Sequence, residues 1–211
     1  MLGAIRNFNI SMYNLRQSNW KGTPPASLGH DPQGKILGIL GMGSIGRNIK
    51  KKADVFGMTT IYHNRRMLSP ELAGGAEYVP FDELLKRSDV LSVNVPSNRN
   101  TFHIMSTEQF KLMKPSAVIV NTARGPIIDE AALVDALDKG IIAGAGLDVY
   151  EDEPKIHPGL VRNQKAMLLP HMGTWTSETE KKMEVCAIEN IRSALNGKGL
   201  INMVPEQKEP E

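Results

Sequence analysis

A single cysteine, Cys186, stands among the 211 residues. One thiol excludes an internal disulfide framework and suits a reducing compartment, so a cytoplasmic location is expected. Cys186 sits among apolar residues of a late helical stretch and reads as a core thiol. Charge of one sign is scarce too: 25 Lys and Arg stand against 23 Asp and Glu, a net charge of +2. That is too small to argue for nucleic acid or an anionic membrane surface as a partner. The Lys50-Lys51-Lys52 run falls inside a helical stretch and reads as a solvated face. The five histidines have no metal-ligand spacing, so no metal is expected. No apolar run is long enough to span a bilayer, and the opening MLGAIRNFNI lacks the basic-then-apolar layout of a signal peptide. What remains is ordinary for a globular chain of one or two domains, 41% apolar and 23% charged.

The informative stretch is 36–66, ILGILGMGSIGRNIKKKADVFGMTTIYHNRR. An apolar run, Ile36–Leu40, reads as a buried strand between Gly34 and Gly41. Gly41-Met-Gly43-Ser44-Ile45-Gly46 follows at once, and then Ile45, Ile49, Ala53 and Phe56 recur at helical spacing. Gly57 stops that helix, and Thr59-Thr60-Ile61-Tyr62 reads as a second strand. A lone GxGxxG is weak evidence and can be a glycine-rich turn. Set between strand and helix, it points to a dinucleotide-binding loop. Gly41 permits the tight turn, Gly43 lets backbone approach a pyrophosphate, and Gly46 lets the helix lie near the sheet. The free N–H groups at the helix start favour the phosphates.

The end of the second strand carries cofactor choice. A cofactor without a 2′-phosphate is usually held there by an Asp or Glu on the ribose hydroxyls. Here the place is taken by His63-Asn64-Arg65-Arg66. No carboxylate repels a 2′-phosphate, and two guanidinium groups can clamp one. NADP(H) is therefore expected over NAD(H), with NAD(H) use left open.

Along the rest of the chain, Leu2, Ile5, Phe8, Met12 and Leu15 share one helical face and predict an opening helix. Residues 20–25 (WKGTPP) and 29–34 (GHDPQG) form a loop-rich arm. A loop with Pro70, Gly74 and Gly75 follows Arg66, then a short strand at 77–79 and a helix over Phe81–Arg87. Strands are expected at 89–95, 117–121, 141–149 and 166–169. Ser106 to Gln109 reads as a capping box. Asp129 caps a helix that runs to Lys139 and stops at Gly140. A Pro-rich loop covers 151–158. Ser177 to Glu180 reads as a second capping box, opening a long helix that ends near Gly197. The tail from Pro205 is charged and expected to be disordered. Strands alternating with helices predict an α/β fold with a doubly wound parallel sheet and flanking helices. Its ligands would bind beyond the carboxyl ends of the strands.

Three charged motifs fall at such ends: Asn121-Thr-Ala-Arg124-Gly, Gly146-Leu-Asp148-Val-Tyr-Glu-Asp-Glu153-Pro and Pro170-His171-Met-Gly. Singly, each has an ordinary reading as a hydrogen-bonded loop residue, a salt-bridge partner or a polar turn. Together they supply what reduction of a 2-oxo acid needs beside a hydride donor. A histidine can deliver a proton near neutral pH. Glu153 beside it would stabilise the imidazolium. Arg124 could hold the substrate carboxylate and polarise the carbonyl.

GMGSIG, NTARGPIIDEAAL, GAGLDVYEDEP and PHMGTWTSET closely resemble the NAD(P)-dependent D-2-hydroxyacid dehydrogenase family. YHNRR and PHMGT look most like its glyoxylate/hydroxypyruvate reductase branch. The resemblance runs from about Ala4 to Val204. It implies a Rossmann-type coenzyme domain and a homodimer acting on a small 2-oxo or 2-hydroxy acid. By that resemblance Arg124, Glu153 and His171 are catalytic, with His171 the general acid in reduction and the base in oxidation. Asp148 tunes the site near the nicotinamide, while Thr122, Ala123 and Gly173 line it. Val95, Pro96 and Thr101 form the wall on the adenosine side. The domains expected are 1–21, helix and start of a dimerisation arm; 22–172, dinucleotide-binding domain; 173–203, a C-terminal helix packing on it; and 204–211, a tail.

Family members carry a substrate domain before the helix that opens this chain, and here that domain is expected to be mostly absent. Three readings follow. The first is an NADPH-dependent 2-oxo acid reductase. The second is a catalytically impaired cofactor-binding module or dimerisation partner, since the family includes corepressor scaffolds. The third is an NAD-using relative of the formate or phosphoglycerate type, against which the lack of an acid at Asn64 argues.

Overall fold

The computed structural model of the protein describes residues 1–22 and 27–203. Pro24 and Pro25 of the arm and the charged tail from Pro205 lie outside the described residues. The chain divides into two compact units, Met1–His171 and Met172–Glu211.

The first unit opens with α1 (Leu2–Ile5) and α2 (Phe8–Arg16), two helices where one was expected. The break is Asn7, at φ 56°, ψ 37°. Asn tolerates this left-handed geometry because its short amide finds local partners, and Asn7 Nδ2 donates to Ser27 O at 3.0 Å. The break separates the two halves of the anticipated apolar face. Ala4 and Ile5 are buried, while Phe8, Met12 and Leu15 are exposed.

Next come β1 (Ile36–Leu40), α3 (Ser44–Val55) and β2 (Thr59–His63), the strand–glycine–helix–strand unit. Then α4 (Pro70–Ala73) stands where a loop was expected. Pro70 at its first turn and Gly74 at φ 55° after its end bound this short helix. The unit continues with β3 (Glu77–Tyr78), α5 (Phe81–Arg87), β4 (Val90–Val93), α6 (Thr107–Leu112) and β5 (Val118–Asn121). After a 3-10 turn at Gly125–Ile127 come α7 (Glu130–Asp138), β6 (Gly144–Leu147), α8 (Pro158–Arg162) and β7 (Ala166–Leu168). Strands β4 and β6 are shorter than the apolar runs 89–95 and 141–149, because paired ladder ends before apolar composition does. Helix α7 begins as anticipated, with Asp129 Oδ1 accepting from Ala132 N at 3.0 Å. At α6, Gln109 Oε1 accepts from Ser106 N at 3.2 Å, while Ser106 Oγ donates to Asp129 at 2.9 Å.

Every pairing in the sheet is parallel. The order is β3-β2-β1-β4-β5-β6-β7. Strand order reverses between β1 and β4, which opens a crevice at their carboxyl ends. Alternate residues feed two cores. Leu91, Val93, Ile119 and Leu147 join Phe110, Leu133 and Leu137 in one cluster. Leu37, Ile39, Val90, Val118 and Val120 join Ala4, Ile5, Ala53 and Tyr62 in the other. A strand's side chains alternate between its faces, so the sheet is covered on both and is doubly wound. No helix among the described residues is long and apolar enough to cross a membrane.

The second unit is built on α9 (Ser177–Leu195). Its cap is Thr176, one residue earlier than the anticipated Ser177; Thr176 Oγ1 accepts from Thr179 N at 3.3 Å. No residue of α9 is buried. Cys186 is therefore exposed rather than a core thiol. Its sulfur lies 3.2 Å from Asn202 Nδ2.

Candidate active site

All the singled-out residues of the first unit stand at or just beyond the carboxyl ends of strands. Gly41 leaves β1 at φ +93°. A Cβ there would come within 2.8 Å of Asn94 C and Val95 N, so the β1 and β4 turns touch backbone to backbone. A Cβ on Gly46 would lie 2.8 Å from Gly41 O, which sets how closely α3 approaches the turn. A Cβ on Gly43 would meet nothing within 4 Å. That bare, open backbone is a surface a pyrophosphate could approach. The first bond of α3 runs from Arg47 N to Gly43 O at 3.0 Å. The N–H groups of Ser44, Ile45 and Gly46 precede it, at the positive end of the helix. These features fit a dinucleotide.

At the end of β2, Asn64 Oδ1 accepts from Met42 N at 2.6 Å. The side-chain oxygen is thereby tied to the glycine loop, and its amide N–H₂ is the half that can face a ligand. Arg65 and Arg66 are exposed beside it, and the three residues line a cavity of about 630 Å³. Beyond β4, Val95 is half-buried and Pro96 exposed. Thr101 Oγ1 donates to Pro96 O at 2.6 Å and closes that loop.

The other half of the crevice is closely interlocked. Asn121, buried at the end of β5, accepts from Ala123 N at 3.0 Å and donates to Arg124 O at 2.9 Å. This shapes the turn Thr122-Ala123-Arg124. Arg124 is exposed, and its Nη1 donates to Ala123 O at 2.7 Å. Asp148 is buried at the end of β6, its N–H donating to Asn121 O at 3.0 Å. Glu153 Oε1 accepts from Tyr150 N at 2.9 Å. Glu153 Oε2 lies 2.6 Å from Nδ1 of His171. The Glu153 carboxyl is held below its ordinary value first by the hydrogen bond from His171. Partial burial opposes this, and the Tyr150 N–H and the charges of His171 and Arg124 add to it. An ionised Glu153 can only accept, so the proton between the two sits on Nδ1. His171 itself adopts a left-handed backbone, φ 52°, a conformation uncommon outside glycine. Tyr150 OH donates to Leu169 O at 2.8 Å, two residues before His171. Gly173 is exposed and belongs to the second unit.

Reading motifs singled out the charged heads at these strand ends and passed over the groups that hold them. Asn121 had a signal, since a buried amide closing an apolar strand must bond to backbone nearby. Glu130, Glu151 and Tyr150 had none, because their partners lie in other segments. Among the described residues no cluster of His, Cys, Asp and Glu could hold a metal ion.

A doubly wound parallel sheet with a glycine-rich turn at its switch crevice, and a carboxylate–histidine pair beyond its later strands, is the architecture of a dinucleotide-binding domain. The sequence pattern of the D-isomer specific 2-hydroxyacid dehydrogenase family, NAD binding domain, matches residues 1–173, and the chain belongs to that family. It is 55% identical over 208 residues to 4-methyl-2-oxopentanoate reductase A of Aspergillus oryzae, covering 99% of this chain and 63% of that protein. A crystal structure of a glyoxylate reductase from Paecilomyes thermophila is similar at TM-score 0.94 and 53% identity, over 99% of this chain and 63% of that one. An NADPH-dependent glyoxylate/hydroxypyruvate reductase from Sinorhizobium meliloti, in complex with NADP and malonate, superimposes at TM-score 0.88 with 29% identity. There the match covers 100% of this chain and 66% of that one. The chain thus spans less than two thirds of the length of the curated relative.

Proposed function

We propose that this chain serves the NADPH-dependent reduction of a small 2-oxo acid, glyoxylate or hydroxypyruvate, to the 2-hydroxy acid by hydride transfer. The observation that carries this reading is the 2.6 Å contact between His171 Nδ1 and Glu153 Oε2 at the carboxyl edge of a dinucleotide-binding sheet. The bound nicotinamide supplies the hydride. With Nδ1–H held by Glu153, Nε2 of the protonated ring faces outward and delivers the proton to the carbonyl oxygen. In the reverse direction it takes that proton back. Glu153 stabilises the imidazolium. Arg124 presents a guanidinium fork to the substrate carboxylate and draws charge onto the carbonyl oxygen. Thr122, Ala123 and Asp148 would line the nicotinamide, and Val95, Pro96 and Thr101 would wall the adenosine side. Gly41, Gly43, Ser44, Ile45 and Gly46 cradle the pyrophosphate.

Three donors support NADP(H) over NAD(H). Arg65 and Arg66 are exposed at the cavity beyond β2, and Asn64 turns its N–H₂ toward it because Met42 N holds its oxygen. The exposed Phe8, Met12, Tyr13 and Leu15 of α2 favour a homodimer through that helix. The same exposed face also favours the second reading, a cofactor-binding and dimerisation module without turnover.

NADPH consumption by the purified protein with glyoxylate and with hydroxypyruvate separates the two. His171→Ala should lower kcat by about 10²–10⁴-fold with NADPH affinity within about twofold. A rate unchanged by that substitution removes the reductase reading. NADPH binding without turnover in the unsubstituted protein leaves the module.

A further inference from the structure

Glu130 opens α7 and is 7% exposed. A buried carboxylate needs several hydrogen bonds, and this one finds them on another loop. Glu130 Oε1 accepts from Glu151 N at 2.9 Å and Oε2 from His157 N at 3.3 Å. In return, Glu151 Oε1 accepts from Glu130 N at 2.7 Å. Each glutamate therefore holds the other's backbone. The bond from Glu130 N satisfies one of the open N–H groups of α7, and both carboxylates lie at the positive end of that helix. His103 Nε2 stands 3.1 Å from Glu151 Oε1, an ion-pair distance too bent for a hydrogen bond. His103 N donates to Pro126 O at 2.9 Å, within the turn that follows Arg124.

The pair sits where three functional turns meet. Glu151 follows Tyr150, whose N–H holds Glu153 Oε1 at 2.9 Å. Gly125 follows Arg124, and a Cβ on it would overlap the Tyr150 carbonyl. The Arg124 turn and the Glu153 loop are thus in backbone contact, with the Glu130–Glu151 tie directly beside that contact.

We propose that Glu130 is a positioning residue for the Glu153–His171 pair, acting through its reciprocal tie with Glu151 to fix the loop that carries Glu153. The proposal deepens the reductase reading and rests on it for the rate effect. Its structural half stands on the geometry alone.

The test compares Glu130→Ala, Glu130→Gln and Glu151→Ala with the unsubstituted protein. Three readouts are taken: NADPH affinity, the ring tautomer of His171 by long-range proton–nitrogen NMR, and steady-state kinetics with glyoxylate. His171→Gln assigns the ring signals. In the unsubstituted protein the neutral ring carries its proton on Nδ1. In Glu130→Ala the Nδ1–H population should fall toward a mixture, and kcat should drop on the order of 100-fold. The KM for NADPH should stay within about twofold. Glu130→Gln keeps one acceptor oxygen and should recover most of the kcat. If Glu130→Ala does not fold, Glu151→Ala removes the other bond of the tie, Glu130 N to Glu151 Oε1, from the more exposed side and should move the tautomer in the same direction by a smaller amount. An unchanged tautomer and kcat in a folded Glu130→Ala or Glu151→Ala overturns the proposal. A tautomer that moves as expected in a protein without any turnover upholds the positioning tie and removes the reductase reading instead.

Discussion

The two sides of the crevice are built on opposite plans. Beyond β1 and β2 the chain offers bare glycine backbone, a helix start and two exposed arginines, tied across by one side-chain bond, Asn64 to Met42. Among the described residues Arg65 and Arg66 have no hydrogen-bond or ion-pair partner. Beyond β5, β6 and β7 nearly every turn is bonded to the next, through Asn121, the Glu130–Glu151 pair, Glu153–His171 and Tyr150–Leu169. The difference follows from the tasks proposed. Holding a phosphate needs donors not already bonded. Moving a proton needs groups held to fractions of an ångström. One side should lose affinity when altered, and the other should lose fold and rate.

The largest effect should come from Gly125→Ala on the braced side. The turn there is closed by backbone contact, and the added methyl overlaps the Tyr150 carbonyl. Carbonyl and turn cannot both stay in place, and overpacking of this kind costs about 3 kcal/mol. For a chain of this size that is a fall in Tm of roughly 10 °C, read by calorimetry. Gly43→Ala on the open side meets nothing within 4 Å, so its Tm should barely move while NADPH binding weakens. Equal Tm losses in the two variants would erase the distinction between the sides.

How much of this could be read from residues alone follows the same line. The strands and the glycine loop were legible because apolar runs, GxGxxG and Asp129 are local signals, each read within one element. The charged heads were legible as strand-end residues for the same reason. The break at Asn7 was hidden, because the apolar spacing of Leu2, Ile5 and Phe8 continues through it while the backbone does not. Helix α9 spans the stretch anticipated, yet none of its residues is buried and Cys186 is exposed, since burial depends on neighbours that spacing does not reveal. The ties were hidden altogether. Met42 and Asn64 are 22 residues apart, and Glu130 and Glu151 are 21 apart. Only the sheet's strand order brings such pairs together. Binding groups therefore announce themselves as motifs, and the groups that position them do not.

On the open side, Arg65→Ala with Arg66→Ala should weaken NADPH binding on the order of 100-fold, since hydrogen bonds to a charged group contribute roughly 1.5–3 kcal/mol each. NADH affinity should stay within about twofold, because its ribose carries no phosphate for them to hold. Fluorescence titration with each cofactor reads both. The Tm should not fall, as neither guanidinium is bonded to the fold. A parallel loss of NADH and NADPH affinity would mean that the arginines act on something other than the 2′-phosphate. Asn64→Asp sharpens the same point. An aspartate can still accept from Met42 N and turns its second oxygen toward the ribose, so the preference should move toward NADH.

The smallest effect is a pH dependence confined to the braced side. Burial, first of all, pushes the Tyr150 hydroxyl up to about 12 from an ordinary 10. The nearby carboxylates of Asp148, Glu130 and Glu153 push the same way, and the phenol donates to Leu169 O at 2.8 Å, two residues before His171. The unfolded chain releases this proton near pH 10, while the folded chain keeps it to about 12. Between those values the folded state binds more protons, so stability falls as pH rises. By pH 11 the loss attributable to this one group is about 1.4 kcal/mol. Urea unfolding of the unsubstituted protein and of Tyr150→Phe isolates it. The variant starts less stable at neutral pH because it lacks the bond to Leu169, and the gap between the two should narrow from pH 10 to pH 11. A gap that stays constant over that interval would assign the alkaline loss to other groups.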